Sequence, residues 1–517
     1  MELVLNQLPE DLREQVGHVV SERERLFREN QILREIIRLH RIEKYGPRSE
    51  KLIDGQLELL ELEPGVSSEE IQAEAEAEKV EQPLTPKTKN ADHPGRDKLP
   101  AHLPRKIETV PVPEERCACP RCHELMPIIG HDESEQLDVE PAKYFVRVIR
   151  REKRACRKCA VGVEAGPLAP RILPKSKLSD AFLIEVLVQK YARHTPIYRQ
   201  AVALEQDMGF ELSPQTIGNG VMAAGRLLEP VVLAMKPDLL AAGYIQADET
   251  TMPVQNRVRP GKNHTAFLWE YSRPGGPVLF DFRMGREREG PKAFLKGFRG
   301  WLQTDGYGAY KELGSGIEYV GCLAHARRKF FQAQLVESQA AAPKEILKIF
   351  GELYDVEAEA RKLKLDPQAR LALRQERSVV LMEDLSKKVI EIKARVLPQS
   401  KLGQACAYTI NQWKRLMRFL EAGVLEIDNN WCENAMRPVA LGRKNWLHLG
   451  NESSGPKVAA ILSIFETCKR LDIPVREYLL EVLPRLGDWP MKRVAELTPT
   501  AWFAAYKARI HPVTLPA

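Results

Sequence analysis

No N-terminal signal peptide and no long apolar run occurs in this sequence, so neither export nor insertion into a membrane is expected. There is no P-loop, no His-Glu-x-x-His helix and no nucleophile elbow, which leaves ATP use, zinc proteolysis and serine hydrolysis without support. Excess charge of one sign is also scarce. Charged residues make up 29%, yet the formal net charge is only +6. Affinity for nucleic acid would therefore have to come from local basic clusters such as Arg147–Arg154, Arg327–Lys329 and Arg443–Lys444. Any one of these can equally be a solvated face. At 517 residues the chain is long enough for several domains.

Nine cysteines is an odd count, and four of them form the pairs Cys119-Pro-Arg-Cys122 and Cys156-Arg-Lys-Cys159. A reducing cytoplasm is the expected compartment, and there such pairs favour metal over disulfides. Two thiolate pairs on turns, joined through the strand-like stretch Lys143–Arg150, give the tetrahedral set of a structural Zn²⁺ site. The stretch between the pairs is longer than in the usual ribbon, and Cys117 is an alternative ligand.

Upstream, Leu12, Val16, Val19, Arg23, Leu26, Asn30, Leu33, Ile37 and His40 alternate spacings of four and three. That is a heptad seam, and Asn30 at an a-type position favours a parallel dimer in one register. A single amphipathic helix packed within a monomer is the other reading, because Arg23 and His40 interrupt the seam. Residues 67–105 turn acidic and then rich in proline and lysine, a composition that cannot bury enough apolar surface to order itself.

Three acidic residues stand apart. Asp248 closes the β-rich run Gly243–Thr250 and is expected at a strand end. Asp305 follows a short strand at a glycine-rich turn, and Glu433 falls at a helix start. Oxygen ligands from three separate elements suit hard cations such as Mg²⁺ or Mn²⁺. Ordinary roles compete: Asp248 and Asp305 as turn caps, and Glu433 in a capping box with Asn430 or paired with Arg437. Glu249 and Asp428 are neighbouring carboxylates that could replace a misassigned member. Cys322 and His325 form a Cys-x-x-His with no second pair nearby, which favours a structural or DNA-positioning role.

The strings Gln246-Ala-Asp-Glu-Thr250, Thr304-Asp-Gly-Tyr307, Gly321–Phe330, Asp428–Pro438 and Gly442-Arg-Lys-Asn-Trp446, with the cysteine pairs upstream, resemble the DDE transposases of the insertion sequence 66 family. The resemblance covers nearly the whole chain. It implies an RNase H-like fold and a zinc-binding domain upstream, so with the heptad seam and a helical pattern between Asp305 and Glu433 the expected fold is α/β, an RNase H-like catalytic core with an all-helical insertion, plus an N-terminal coiled coil and a zinc ribbon. It further implies DNA cleavage and strand transfer by two metal ions, Asp248 bridging both while Asp305 and Glu433 each hold one. Small accessory proteins of the same element commonly accompany the family.

The expected organisation is a coiled-coil and basic region (1–66), a linker (67–105), a zinc-binding ribbon (106–170) and a helical region (171–242). A catalytic domain (243–465) with a helical insertion at about 332–425 and a C-terminal helical region (466–517) complete it. Ser213 and Pro214 mark a helix start that belongs either to a helix-turn-helix reader or to a helical brace for the catalytic domain. Arg327, Arg328, Arg437, Arg443 and Lys444 are candidate phosphate contacts. The expected partner is double-stranded DNA, both element ends and target, bound by a homo-oligomer that is at least a dimer. Two other functions stay open: a DNA-binding regulator that has lost catalysis, and a structure-specific nuclease using the same metals.

Overall fold

The computed structural model describes residues 144–155, 163–167, 169–256, 262–336 and 341–510, together with Arg23, Leu26, Phe27, Asn30, Leu33 and Glu124. The chain divides into two compact units, residues 75–166 and the remainder. In the smaller unit, β1 (Lys153–Ala155) and β2 (Val163–Ala165) form an antiparallel pair with Arg154 opposite Glu164. The strand expected over Lys143–Arg150 is corrected: among the described residues, 144–150 form no strand, and Phe145, Val146, Val148 and Ile149 are exposed. A β-rich composition makes a strand only where a neighbour takes up its backbone groups. All five cysteines of the expected zinc region lie outside the described residues. At the N-terminus, Arg23, Leu26, Phe27, Asn30 and Leu33 are helical and exposed. The rest of the expected seam, and the linker, lie outside the described residues.

The larger unit is built on five strands: β3 (Tyr244–Gln255), β4 (Asn263–Ser272), β5 (Val278–Arg283), β6 (Gly300–Gln303) and β7 (Ile317–Val320). Their order is β5-β4-β3-β6-β7. The β3–β4–β5 half is an antiparallel meander, and β6 and β7 add in parallel on the other side of β3. Central position explains why β3 begins with four buried residues in succession instead of alternating. Gly300 permits the tight approach of β6 to β3, since its φ is +135° and a Cβ there would meet the carbonyl oxygen of Gly243 at 2.1 Å.

Among the described residues from 169 on, three helices precede the sheet. In α1 (Asp180–Tyr191) the Ser179 hydroxyl accepts from the Phe182 amide, and α2 (Ile197–Met208) stops at Gly209 in the left-handed region. α3 (Pro214–Leu240) starts as the sequence predicts, with Ser213 as cap and proline first. Between β5 and β6 lies the short α4 (Glu289–Phe294). The edge strand β5 is closed off by a helix introduced below, α11, through hydroxyl groups. Val278 donates its amide to Thr467 Oγ1 at 3.0 Å, and Phe280 donates to Ser463 Oγ at 2.8 Å. The core of this half gathers Leu187, Leu228, Trp269, Tyr271, Leu302 and Ile461. Each large apolar side chain buried there stabilises by about 1.5–3 kcal/mol.

After β7 come α5 (Leu323–Val336), α6 (Ala341–Lys362), α7 (Pro367–Leu373), a wide π turn (Arg374–Ser378), α8 (Val379–Arg395) and α9 (Lys401–Leu416). Phe330, Phe350, Leu353, Leu385, Val389 and Phe419 form their own core. Arg374 is buried at the π turn, where it pairs with Glu357 and donates to the carbonyls of Phe419 and Leu425. The chain then returns to the sheet through α10 (Asn430–Trp446) and finishes with α11 (Gly455–Arg470), α12 (Val475–Val482) and α13 (Pro499–Ile510). Among the described residues, no helix is long and apolar enough to cross a membrane.

Candidate active site

Asp248 lies within β3, not at its end: the strand continues to Gln255. The expectation fails because Met252 and Val254 are buried and the ladder with β4 runs on past Asp248 to Gln255. Asp248 Oδ1 accepts the Glu249 amide at 2.9 Å. Burial, then the negative charges of Glu249, Glu433 and Asp305, push its carboxyl up to about 8. Asp305 sits just past β6, as the sequence predicts, in a turn that Gly306 makes with φ +90°. Its Oδ1 accepts the Tyr307 amide at 2.8 Å, and its backbone oxygen accepts the Tyr408 hydroxyl from α9 at 2.8 Å.

Glu433 occupies the first turn of α10. The capping-box alternative is not formed, because Asn429 is the cap and no side-chain cap bond is made. Nor does Glu433 form a bridge to Arg437. Its Oε1 lies 3.5 Å from His325 Nδ1 and its Oε2 lies 3.5 Å from Arg328 Nη2. The structure thus brings Asp248, Asp305 and Glu433 together from a strand, a turn and a helix.

The two alternative carboxylates are committed elsewhere. Glu249 takes Arg286 on Oε1 and the Tyr310 hydroxyl on Oε2, and the Arg286 guanidinium stacks 3.7 Å from the Tyr307 ring centroid. Asp428 takes the Asn430 amide on Oδ1, and the Tyr354 hydroxyl and the Asn430 side chain on Oδ2. Both are buried enough to raise their carboxyls above the usual range.

Sequence reasoning missed two buried glutamines that hold this assembly. Gln246 Nε2 donates to the Asp428 carbonyl at 2.9 Å, while its Oε1 accepts the Cys432 amide at 3.2 Å. Gln303 Nε2 donates to the carbonyls of Gly321 and Glu426 at 3.0 and 2.9 Å. The two side chains meet at 2.9 Å, so β3, β6 and the segment entering α10 share one satisfied network. The signal was a glutamine inside each apolar run, Ile245-Gln-Ala and Leu302-Gln-Thr, two residues before its aspartate.

The basic candidates separate by environment. Arg328, Arg437 and Lys444 are exposed, and Arg327 is half-buried. Arg443 is used internally, donating to Thr250 Oγ1 at 3.2 Å and to Thr251 Oγ1 at 2.7 Å on β3. Cys322 is buried immediately before α5 and its sulfur accepts the Asn429 amide at 3.5 Å, tying α5 to α10. Burial pushes its thiol up and pushes His325 down, against the pull of Glu433 and Asp305.

Comparison with known proteins follows the same lines. Residues 175–457 match the model of the Transposase IS66 family. Residues 116–160, which span both cysteine pairs, match the zinc-finger binding domain of transposase IS66, and residues 32–107 match the Transposase C of IS166 homeodomain. Among curated relatives, "Uncharacterized protein y4qI" of Sinorhizobium fredii (strain NBRC 101917 / NGR234) is 33% identical over 494 residues, covering 90% of this chain and 88% of its own. "Uncharacterized protein y4jD" of the same strain is 32% identical over 427 residues, 78% of this chain and 82% of its own. With a family match over more than half its length, the chain belongs to the IS66 family of transposases.

Proposed function

We propose that the protein is a DDE-type transposase that binds the ends of its element and carries out metal-dependent DNA cleavage and strand transfer, with Asp248, Asp305 and Glu433 as its catalytic carboxylates. One observation carries this reading. Of the five carboxylates weighed as candidates, Glu249 and Asp428 have both oxygens taken by protein donors. Asp248 and Asp305 each accept on one oxygen, and Glu433 Oε1 has no hydrogen-bond partner. An all-oxygen donor set with uncommitted oxygens fits Mg²⁺ or Mn²⁺. Divalent cations held there would activate an oxygen nucleophile and stabilise the departing oxygen.

The sheet order, an antiparallel meander followed by two parallel strands, supports an RNase H-like core, with α5–α9 as the helical insertion before Glu433. Arg327, Arg328, Arg437 and Lys444 are the proposed phosphate contacts. Cys119, Cys122, Cys156 and Cys159 are the proposed ligands of a structural Zn²⁺. The heptad seam would give a dimer, working on DNA in the cytoplasm.

The test is to incubate the protein with Mg²⁺ and DNA carrying candidate element ends. Joined products are expected, and cleavage without joining would favour a nuclease. Asp248→Asn, Asp305→Asn and Glu433→Gln should each abolish cleavage and joining while DNA binding survives. Strand transfer by Glu433→Gln at the parental rate would overturn that assignment.

A further inference from the structure

We propose that Cys322, His325 and Glu433 form a site for a thiophilic divalent cation, Zn²⁺, whose binding withdraws Glu433 from the catalytic carboxylates and so inhibits DNA cleavage. The inhibitory part rests on the catalytic reading of Glu433 given above. The site itself rests on geometry.

One sulfur, one imidazole nitrogen and one carboxylate oxygen, from Cys322, His325 and Glu433, lie within 4.8 Å of one another. His325 Nδ1 and Glu433 Oε1 are 3.5 Å apart, close to the separation of about 3.4 Å that two ligands adopt on one tetrahedral zinc ion. Both atoms are buried without a hydrogen-bond partner. Two unpaired polar atoms facing each other inside a protein are costly unless something fills the gap. Beside them Asn429 is wholly buried and neither polar atom of its amide is partnered, while its backbone N–H points at the Cys322 sulfur. Burial keeps the Cys322 thiol protonated in the empty site, while that N–H and the start of α5 offset part of this and would help a bound cation hold the thiolate. On binding, the thiol proton passes to solvent. The side chains of His325 and Glu433 are 23% and 21% exposed, which leaves an entry path.

Ligand chemistry separates this ion from the catalytic one. Mg²⁺ takes oxygen ligands and binds sulfur poorly, whereas a thiolate with an imidazole selects Zn²⁺. Arg328, 3.5 Å from Glu433 Oε2, opposes any cation here, but its side chain is 57% exposed and free to turn into water. The other carboxylate oxygen, Oε1, lies on the histidine side.

The experiment compares full-length protein with Cys322→Ser, His325→Gln and Glu433→Gln. Cys322→Ser keeps an acceptor for the Asn429 amide. After equilibration with Zn²⁺ and removal of free metal, the parent should hold one more zinc equivalent per chain than each variant, by elemental analysis. Zinc held by the upstream cysteine pairs is common to all four and cancels. Micromolar Zn²⁺ should then slow Mg²⁺-dependent cleavage by the parent at least tenfold, and by Cys322→Ser less than twofold, each relative to its own zinc-free rate. Equal zinc content in all four proteins overturns the site. Metal content is read without DNA, so it fails separately from the catalytic reading. If zinc content differs as expected but Glu433→Gln cleaves normally, the catalytic role of Glu433 falls and the inhibition falls with it.

Discussion

Glu270 stands directly across the β3–β4 ladder from Asp248, fully buried, and the thiol of Cys432 on α10 reaches its Oε2. Burial first, and the charge of Asp248 among lesser causes, hold the Glu270 carboxyl well above the usual carboxylate range. The folded protein therefore keeps a proton there that the unfolded chain releases, so this group lowers stability as pH rises above the ordinary carboxylate range. Glu270→Gln should flatten that part of the profile and be more stable than the parent at pH 8. Urea denaturation between pH 5 and 8 decides it, and an unchanged slope would remove Glu270 as the cause.

Gln246→Leu should detach α10 from the sheet. It leaves the Asp428 carbonyl and the Cys432 amide buried without their partner. The expected cost is about 2–4 kcal/mol for two unsatisfied groups. Cleavage should fall further than DNA binding, because Glu433 rides on the detached helix. Calorimetry beside a binding assay would show it, and parallel losses in both would argue for general unfolding.

Lys190 provides a second pH test. Its ammonium is buried, 4.1 Å from the Trp446 ring centroid, and burial pushes it down to about 8 from 10.5. Between those values the unfolded chain binds a proton that the folded one does not, so stability should rise with pH there and the cost is fully present below pH 8. Lys190→Met should stabilise at pH 7 by about 1–3 kcal/mol, after allowing for the lost attraction to the indole face. Equal stability of parent and variant at pH 7 would contradict the burial cost.

The arginines should divide by role. Arg437→Ala or Lys444→Ala should weaken DNA binding uniformly across sequences and reduce its salt dependence by about one counterion each. Arg443→Ala should instead lower thermal stability with the salt dependence retained, because it bonds to Thr250 and Thr251. A binding series in increasing salt separates the two classes. The reverse assignment is excluded only if Arg437→Ala leaves the melting temperature unchanged.

Local signals in the sequence were reliable where the physics is local. Ser213 caps the helix it was expected to cap, and Asp305 follows a short strand at a glycine turn as expected. What escaped depends on partners distant in sequence. Asp248 was read as a strand end because the run of apolar residues breaks there, whereas pairing with β4 carries the strand on. Gln246 and Gln303 looked like interruptions of an apolar pattern until the segment before α10 supplied their partners. Arg374 gave no sign of burial, since Glu357 and the carbonyls of Phe419 and Leu425 come from other turns of the insertion.

The bond between Gln246 and Cys432 joins positions 186 residues apart. During synthesis, β3 with Asp248 and the turn with Asp305 leave the ribosome well before the helix that brings Glu433, with the whole of α5–α9 still to be made. On the catalytic reading proposed above, a nascent chain would fold its sheet before its DNA-cleaving site could assemble. On the same reading, a gene copy that ends inside the insertion would yield a product without Glu433, and so without cleavage, however well its first half folds.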